Sequence, residues 1–143
     1  MEKKAGQRQG EPRARERKPK NMSSPKVVLI EDDEAMRTLL GELLRMEGYQ
    51  VVSLGSIEPE DTVLSQLIEQ KPDLVFLDVN IHGRDTFTFV RKLRSKREAI
   101  RVLMSSGMPL ESESINVGAD DFLMKPFMPD ELLRKVHHLL GSE

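Results

Sequence analysis

The sequence has no cysteine among its 143 residues. Disulfides, thiolate metal sites and cysteine nucleophiles are therefore excluded. Long apolar runs are also missing, because none exceeds five residues, whereas a membrane-spanning helix needs about 20. No secretory hydrophobic region follows the N-terminus either, so we expect a cytoplasmic protein that does not bind a membrane.

Charge is distributed unevenly along the chain. Residues 1–21 hold eight Lys or Arg and three Glu, a net charge of +5, whereas residues 22–143 have a net charge of −7. The basic stretch contains no Val, Ile, Leu or aromatic residue, so it cannot bury enough apolar surface to offset the entropy of ordering. We predict a disordered basic tail over residues 1–24 and one folded domain over residues 25–143. For the tail we favour a solvated segment, or one upstream of a start at Met22, over a segment that binds nucleic acid, an anionic membrane or an acidic partner.

Strand-like and helix-like patterns alternate after the tail. Between the strand-like runs, apolar residues recur at the three- and four-residue spacing of amphipathic helices. The exception is the stretch MPLESESINVGAD, where only about two turns of helix fit, so we predict a short or irregular fourth helix. The alternation indicates βαβ crossovers and therefore a doubly wound parallel sheet with helices on both faces. The five predicted strands are residues 26–30, 50–54, 74–78, 101–104 and 121–124.

Polar residues end or closely follow four of these strands. Glu31 and Asp32 follow the first strand, Asp78 ends the third, and Ser106 and Lys125 follow the fourth and fifth. The carboxyl ends of parallel strands share one edge of the sheet, where ligands bind. Three carboxylates packed together repel one another unless a cation joins them. Mg²⁺ takes one or two carboxylates together with a phosphoryl oxygen, and Mn²⁺ suits the same ligands.

A lone aspartate beside a cation, a lysine and a hydroxyl is a phosphoryl-acceptor arrangement. We expect Asp78 to attack phosphorus, as aspartyl-phosphate chemistry requires. Lys125 and the metal would neutralise charge on the phosphoryl oxygens, and Ser106 would donate a hydrogen bond to one of them.

Four motifs in succession resemble the receiver domain of two-component response regulators, in which a histidine kinase or phosphotransfer protein passes a phosphoryl group to an aspartate. The resemblance covers roughly residues 25–141 and implies a flavodoxin-like sheet with strand order 2-1-3-4-5. Because the sequence ends soon after the fifth predicted helix, we expect a stand-alone switch like the chemotaxis regulators, a monomer or weak dimer with no output or DNA-binding domain. We expect no enzyme activity beyond self-catalysed phosphorylation and dephosphorylation. The motifs are VLIEDDEAMR, PDLVFLDVNIHGRD, VLMSSG and GADDFLMKPF.

The resemblance implies a role for each matching residue. Ser106 would swing towards the phosphoryl group bound to Asp78, and Lys125 would bridge to that group. Phe122 matches the aromatic position that moves inward when the hydroxyl moves. The face formed by the fourth helix, fifth strand and fifth helix would then bind a downstream protein that the sequence does not identify. The implied metal ligands are Glu31, Asp32, Asp78 and the backbone carbonyl of Asn80.

Two residues near the acceptor depart from the family pattern. His82 stands where the family usually has Pro, and Thr86 replaces the Gly that commonly follows Asp85. Neither change removes a reacting group, but both put the geometry of the loop beside Asp78 in question.

Two other functions stay open on the sequence alone. A receiver-like adaptor that acts without phosphorylation would have the same fold, and the short fourth helix favours it. A haloacid-dehalogenase-like phosphatase also uses an Asp nucleophile with Mg²⁺, and Asp78-Val79-Asn80 has the outline of its D-x-D motif. Two features argue against the phosphatase. Asn80 cannot act as a general acid. In addition, the nucleophile of such phosphatases follows the first strand, whereas Asp78 lies at the end of the third.

Overall fold

A computed structural model describes residues 24–141 of the chain. The basic tail predicted over residues 1–24 lies outside this range except for Ser24, so its disorder stays a prediction. None of the helices within the described range has the length and hydrophobicity that crossing a bilayer requires.

The described residues form one five-stranded parallel sheet and a small antiparallel hairpin. The hairpin consists of β4 and β5, and the parallel sheet has the order β2-β1-β3-β6-β7. This confirms the predicted order 2-1-3-4-5, because the hairpin only raises the numbers of the last two strands by two. In chain order the strands are β1 (Lys26–Ile30), β2 (Gln50–Leu54), β3 (Leu74–Asp78), β4 (Asn80–Ile81), β5 (Arg84–Asp85), β6 (Arg101–Ser106) and β7 (Asp121–Met124).

Five helices cover the two faces of the sheet. The fourth has only seven residues, which confirms the short helix predicted for this stretch. The first begins where the side chain of Asp33 accepts the N–H of Met36, and it ends before Gly48, whose φ of 96° favours glycine. The helices are α1 (Glu34–Met46), α2 (Glu60–Gln70), α3 (Phe87–Lys96), α4 (Glu111–Val117) and α5 (Pro129–Leu139).

Alternate residues of each strand point to opposite faces of the sheet. In β3, Val75 and Leu77 pack in the core layer beneath α2, α3 and α4, whereas Leu74 and Phe76 pack beneath α1 and α5. These four side chains are at most 2% exposed. The strand is therefore buried on both faces, and its last residue, Asp78, lies where the chain leaves the core.

Ser114 is a buried polar residue on the inner side of α4. Its Oγ has no hydrogen-bond partner among residues 24–141, although the residue is fully buried. Burying a hydroxyl without a partner costs about 1–3 kcal/mol. We therefore expect Ser114→Ala to raise the free energy of unfolding by about 1 kcal/mol, measured by urea denaturation.

An exposed serine on the same helix provides the control for this prediction. Ser112→Ala gains only the higher helix propensity of alanine, which is worth at most about 0.5 kcal/mol. If Ser114→Ala stabilises the protein no more than Ser112→Ala does, the hydroxyl of Ser114 has a partner in solution.

Candidate functional site

The carboxyl edge of the parallel sheet forms a cleft of about 520 Å³. The structure brings together all the residues predicted to act on the phosphoryl group or the metal, because each follows or ends a strand at this edge. Phe122, the predicted switch residue, does not line the cleft. The predicted residues that line it are Glu31, Asp32, Asp78, Asn80, Ser106 and Lys125.

Asp78 lies between two hydrogen-bond donors. Its Oδ2 is 2.6 Å from Nζ of Lys125, and its Oδ1 accepts the backbone N–H of Asn80 at 3.2 Å. The side chain of Asp78 is only 12% exposed, so a charge here needs such compensation. The buried strand ends on an aspartate because the ammonium group of Lys125, the residue that follows β7, meets the carboxylate.

Lys125 also contacts Glu31, the most deeply buried carboxylate of the cleft. The two side chains approach to 3.4 Å, and the side chain of Glu31 is 5% exposed. Burial raises the pKa of Glu31 above its ordinary value, with the charge of Asp78 acting in the same direction. Burial opposes the charge of Lys125, but its hydrogen bond to Asp78 and the attraction of both carboxylates outweigh burial and raise the pKa of Lys125.

Asp32 has a partner that the sequence analysis did not predict. Its Oδ2 accepts the backbone N–H of His82 at 2.8 Å, across 50 residues of sequence. This hydrogen bond is the largest of the effects that lower the pKa of Asp32. The carboxylate of Asp32 is thus held by the loop that follows β3.

That loop is the hairpin formed by β4 and β5, with His82 and Gly83 as its two turn residues. Both have positive φ, 52° and 78°, as the central residues of a type I′ turn do. Proline, with φ near −65°, cannot adopt this conformation. A proline at position 82 would exclude this turn, so His82 permits a loop conformation that the Pro common in the family would not allow.

Thr86 closes the base of the hairpin. Its Oγ1 donates to the backbone carbonyl of Asp78 at 3.0 Å, and its backbone N–H donates to the carbonyl of Val79 at 2.8 Å. The residue is fully buried. The second departure from the family pattern thus ties the start of α3 to the end of β3.

Ser106 and Phe122 both lie in buried positions. The Oγ of Ser106 accepts the backbone N–H of Met108 at 3.0 Å, which links the hydroxyl to the segment that leads into α4. Phe122 already packs in the core layer beneath α2, α3 and α4. Its side chain is therefore in an inward position in this structure, and its role as a switch stays a prediction.

The oxygen donors of the cleft fit a hard divalent cation. No three His, Cys, Asp or Glu side chains within residues 24–141 converge into a metal cage. Mg²⁺ does not need such a cage, because it binds through one or two carboxylates and keeps several waters. Asp32, Asp78 and the backbone carbonyl of Asn80 supply donors of this kind in one cleft.

Comparison with known proteins decides the family. Residues 27–137 match the family described as the response regulator receiver domain. The chain belongs to this family. Receiver domains are signalling switches that interact with histidine kinases or phosphotransfer partners, and in general they bind Mg²⁺ at the phosphorylation site. The family predicted from the four motifs is confirmed.

Two curated relatives carry the receiver sequence within longer chains. The transcriptional regulatory protein AruR of Pseudomonas aeruginosa is 33% identical over 121 residues, which cover 81% of this chain and 49% of AruR. The phosphate regulon transcriptional regulatory protein PhoB of Rhizobium meliloti is 35% identical over 121 residues, covering 81% of this chain and 52% of PhoB. The chain thus spans about half the length of these relatives. The stand-alone state of this receiver and its cytoplasmic location stay predictions.

Solved structures of receiver domains share the fold. A CheY-like receiver domain from Methanospirillum hungatei superposes with a TM-score of 0.75 at 24% identity, covering 83% of this chain and 95% of that one. A putative response regulator from Chloroflexus aurantiacus gives a TM-score of 0.73 at 27% identity, covering 84% and 100%. Residues 24–141 of the present chain contain this receiver fold and no DNA-binding domain.

The phosphatase alternative finds no support in the geometry. Asp78 ends the third strand of the chain, and the Oδ1 of Asn80 accepts the N–H of Gly83 at 3.0 Å. A carboxamide is not acidic enough to supply the proton that the second residue of a D-x-D motif provides, and the side chain of Asn80 serves the turn instead.

Proposed function

We propose that this receiver domain accepts a phosphoryl group on Asp78 in the presence of Mg²⁺ and thereby changes a protein-binding surface. The observation that carries the proposal is the 2.6 Å contact between Asp78 and Lys125 in a cleft that Ser106 also lines. These three groups are an acceptor, a cation for the phosphoryl oxygens and a hydroxyl donor. They lie at the carboxyl ends of three different strands, so their meeting in one cleft is a property of the fold.

The proposed transfer requires no residue beyond those in the cleft. An oxygen of Asp78 forms a bond to phosphorus while the bond from phosphorus to the donor nitrogen of a phosphohistidine breaks, and that nitrogen keeps the electron pair. Lys125 then contacts a phosphoryl oxygen in place of the free carboxylate. Mg²⁺, when bound, supplies further positive charge to those oxygens, and Mn²⁺ would serve in the same way. The residues that would hold the metal are Glu31, Asp32, Asp78 and the carbonyl of Asn80.

Movement of Ser106 would transmit phosphorylation from the cleft to α4. When its hydroxyl turns to donate to the phosphoryl group, the N–H of Met108 loses the acceptor that it has in this structure. The segment that follows is easily rearranged, because α4 is short and its N-cap, Leu110, makes no side-chain capping bond. Phosphorylation would thus shift an existing equilibrium at the start of α4.

The face that would change exposes apolar side chains. Three exposed apolar residues lie in the segment before α4, within α4 and on β7: Met108, Ile115 and Met124. Apolar residues exposed on one face are typical of protein-binding surfaces. A downstream protein that contacts α4, β7 and α5 would therefore sense the rearrangement.

Treatment with acetyl phosphate tests the proposal. With Mg²⁺ present, intact-mass measurement should show the addition of one phosphoryl group, and acetate is the leaving group. EDTA should prevent the addition, and hydroxylamine should remove the group because it is an acyl phosphate. If the folded protein binds Mg²⁺ but gains no mass from acetyl phosphate or from a panel of histidine kinases, the proposal is wrong and the adaptor alternative is favoured.

The switch is tested separately by amide NMR spectra recorded with and without a phosphoryl mimic. We expect shifts at Met108 and onward through α4 and β7. Shifts confined to the residues of the cleft would contradict a transmitted change.

A further inference from the structure

We infer that the backbone N–H of His82 is a positioning group of the metal site, which holds the carboxylate of Asp32 in place for the divalent cation. The inference rests on the proposed function, because it assigns a role in the same cleft. It adds a contact that a receiver with proline at this position cannot make, since proline has no N–H.

The hydrogen bond itself is short and long-range in sequence. The N–H of His82 approaches Oδ2 of Asp32 to 2.8 Å, a typical length for a bond from a backbone amide to a carboxylate. A carboxylate has two oxygens, so Asp32 can accept this bond on Oδ2 and still offer Oδ1 to a cation. The bond therefore restricts the carboxylate without consuming its ability to bind metal.

The same hairpin also carries a second proposed ligand. Asn80, whose backbone carbonyl is expected to face the metal, pairs with Asp85 in the antiparallel ladder. The Oδ1 of Asn80 accepts the N–H of Gly83, so its side chain is engaged in the turn. The hairpin therefore positions the backbone carbonyl of Asn80 directly. It also positions the carboxylate of Asp32 through the N–H of His82.

The hairpin is held in place at its base. Thr86 donates hydrogen bonds to the carbonyls of both Asp78 and Val79, and Thr86 is fully buried. Arg84 on β5 forms an ion pair with Glu58 on the neighbouring loop. Because the base is tied to the acceptor strand, the N–H of His82 has little freedom to move away from Asp32.

Hydrogen bonds to a metal-ligating side chain strongly influence the affinity of the site for the metal. Removing a hydrogen-bond partner of a metal-ligating side chain typically weakens metal binding 10–100-fold. His82 is exposed, so the lower end of that range is the appropriate expectation. We therefore expect the loss of this N–H to weaken Mg²⁺ binding about tenfold.

The wild-type protein allows the bond to be measured directly. NMR should detect scalar coupling across the hydrogen bond between the amide nitrogen of His82 and Cγ of Asp32, and the amide proton should resonate downfield. Addition of Mg²⁺ should shift this amide proton while the coupling persists. Absence of the coupling, or its loss when Mg²⁺ binds, would overturn the inference.

Two substitutions separate the backbone N–H from the imidazole. His82→Pro removes the N–H together with the positive φ of the turn, and its Mg²⁺ dissociation constant should rise about tenfold. The coupling measured in the wild type assigns that loss to the N–H. The conservative His82→Asn keeps the N–H in the Asn-Gly pair that type I′ turns prefer, so its Mg²⁺ dissociation constant should equal that of the wild type. Equal Mg²⁺ binding by His82→Pro and the wild type, or equal weakening by both substitutions, would show that the N–H is not the group that matters.

The experiments distinguish failure of the inference from failure of the proposed function. If His82→Pro fails to fold, as judged by circular dichroism, the coupling measured in the wild type decides the inference. If the wild type gains no phosphoryl group although the coupling and the difference in Mg²⁺ affinity are present, only the proposed function fails. If phosphorylation occurs but both variants bind Mg²⁺ like the wild type, only the inference fails.

Discussion

Asp78→Asn should gain no phosphoryl group from acetyl phosphate and Mg²⁺, where the wild type gains one. The amide of Asn has nearly the shape of the carboxylate but lacks the anionic oxygen that attacks phosphorus. Its neighbours in the cleft can stay in place, because Asn still offers one oxygen to Lys125 or to the N–H of Asn80. The loss therefore reports the missing nucleophile and not an altered fold, and intact-mass measurement checks it.

A second acidic residue of the cleft provides the matched control. Asp85 lines the same cleft, and its Oδ1 accepts the N–H of Phe87 at 3.1 Å. Asp85→Asn keeps an oxygen for that bond and removes the same charge, so it should be phosphorylated like the wild type. Phosphoryl incorporation that persists in Asp78→Asn, or that disappears in Asp85→Asn, would place the acceptor elsewhere.

The positions of the site residues could be predicted because the strands are simple to recognise. The run Leu74–Leu77 has no polar residue, and such a strand can only lie inside a sheet with both faces covered. Its carboxyl end then lies beside those of its parallel neighbours, so the residues that follow must meet. The topology alone therefore predicted that Asp78 and Lys125 lie close together, although 47 residues separate them in the sequence.

The hairpin of β4 and β5 was missed for a physical reason. Each of its strands has two residues, which is too short for any alternation of polar and apolar side chains to appear. Gly83 was the one available signal, because a glycine in a two-residue turn favours positive φ. The hydrogen bond from the N–H of His82 to Asp32 could not be predicted from the sequence, because every residue except proline carries the same backbone N–H.

Apolar spacing alone does not show how deeply each residue of a helix is buried. In α1, Leu39 fits the helical spacing of Met36, Leu40 and Leu43, yet it is 55% exposed. Spacing shows which residues share a side of a helix, whereas the neighbouring elements decide how much of that side is covered.

Lys125→Met should lower the free energy of unfolding by about 2 kcal/mol when no divalent cation is present. Methionine keeps the length of the side chain but leaves Glu31 and Asp78 without the ammonium group that they share. Breaking a fully buried ion pair costs about 3–5 kcal/mol. We expect a smaller loss, of about 2 kcal/mol, because the side chain of Lys125 is 27% exposed and solvent screens the pair. Urea denaturation in EDTA measures the change.

Mg²⁺ should reverse most of this loss. In Lys125→Met, Mg²⁺ no longer has to compete with the lysine ammonium group for Oδ2 of Asp78. The variant should therefore bind Mg²⁺ more tightly than the wild type and gain more stability from it. The control is Lys135→Met, because Lys135 pairs with Asp121 at 3.1 Å outside the cleft and is 35% exposed. That variant should lose less than about 1 kcal/mol, with the same response to Mg²⁺ as the wild type. If Mg²⁺ stabilises Lys125→Met and the wild type equally, the ammonium does not share the carboxylates with the cation, because removing it would then have left the metal site unchanged.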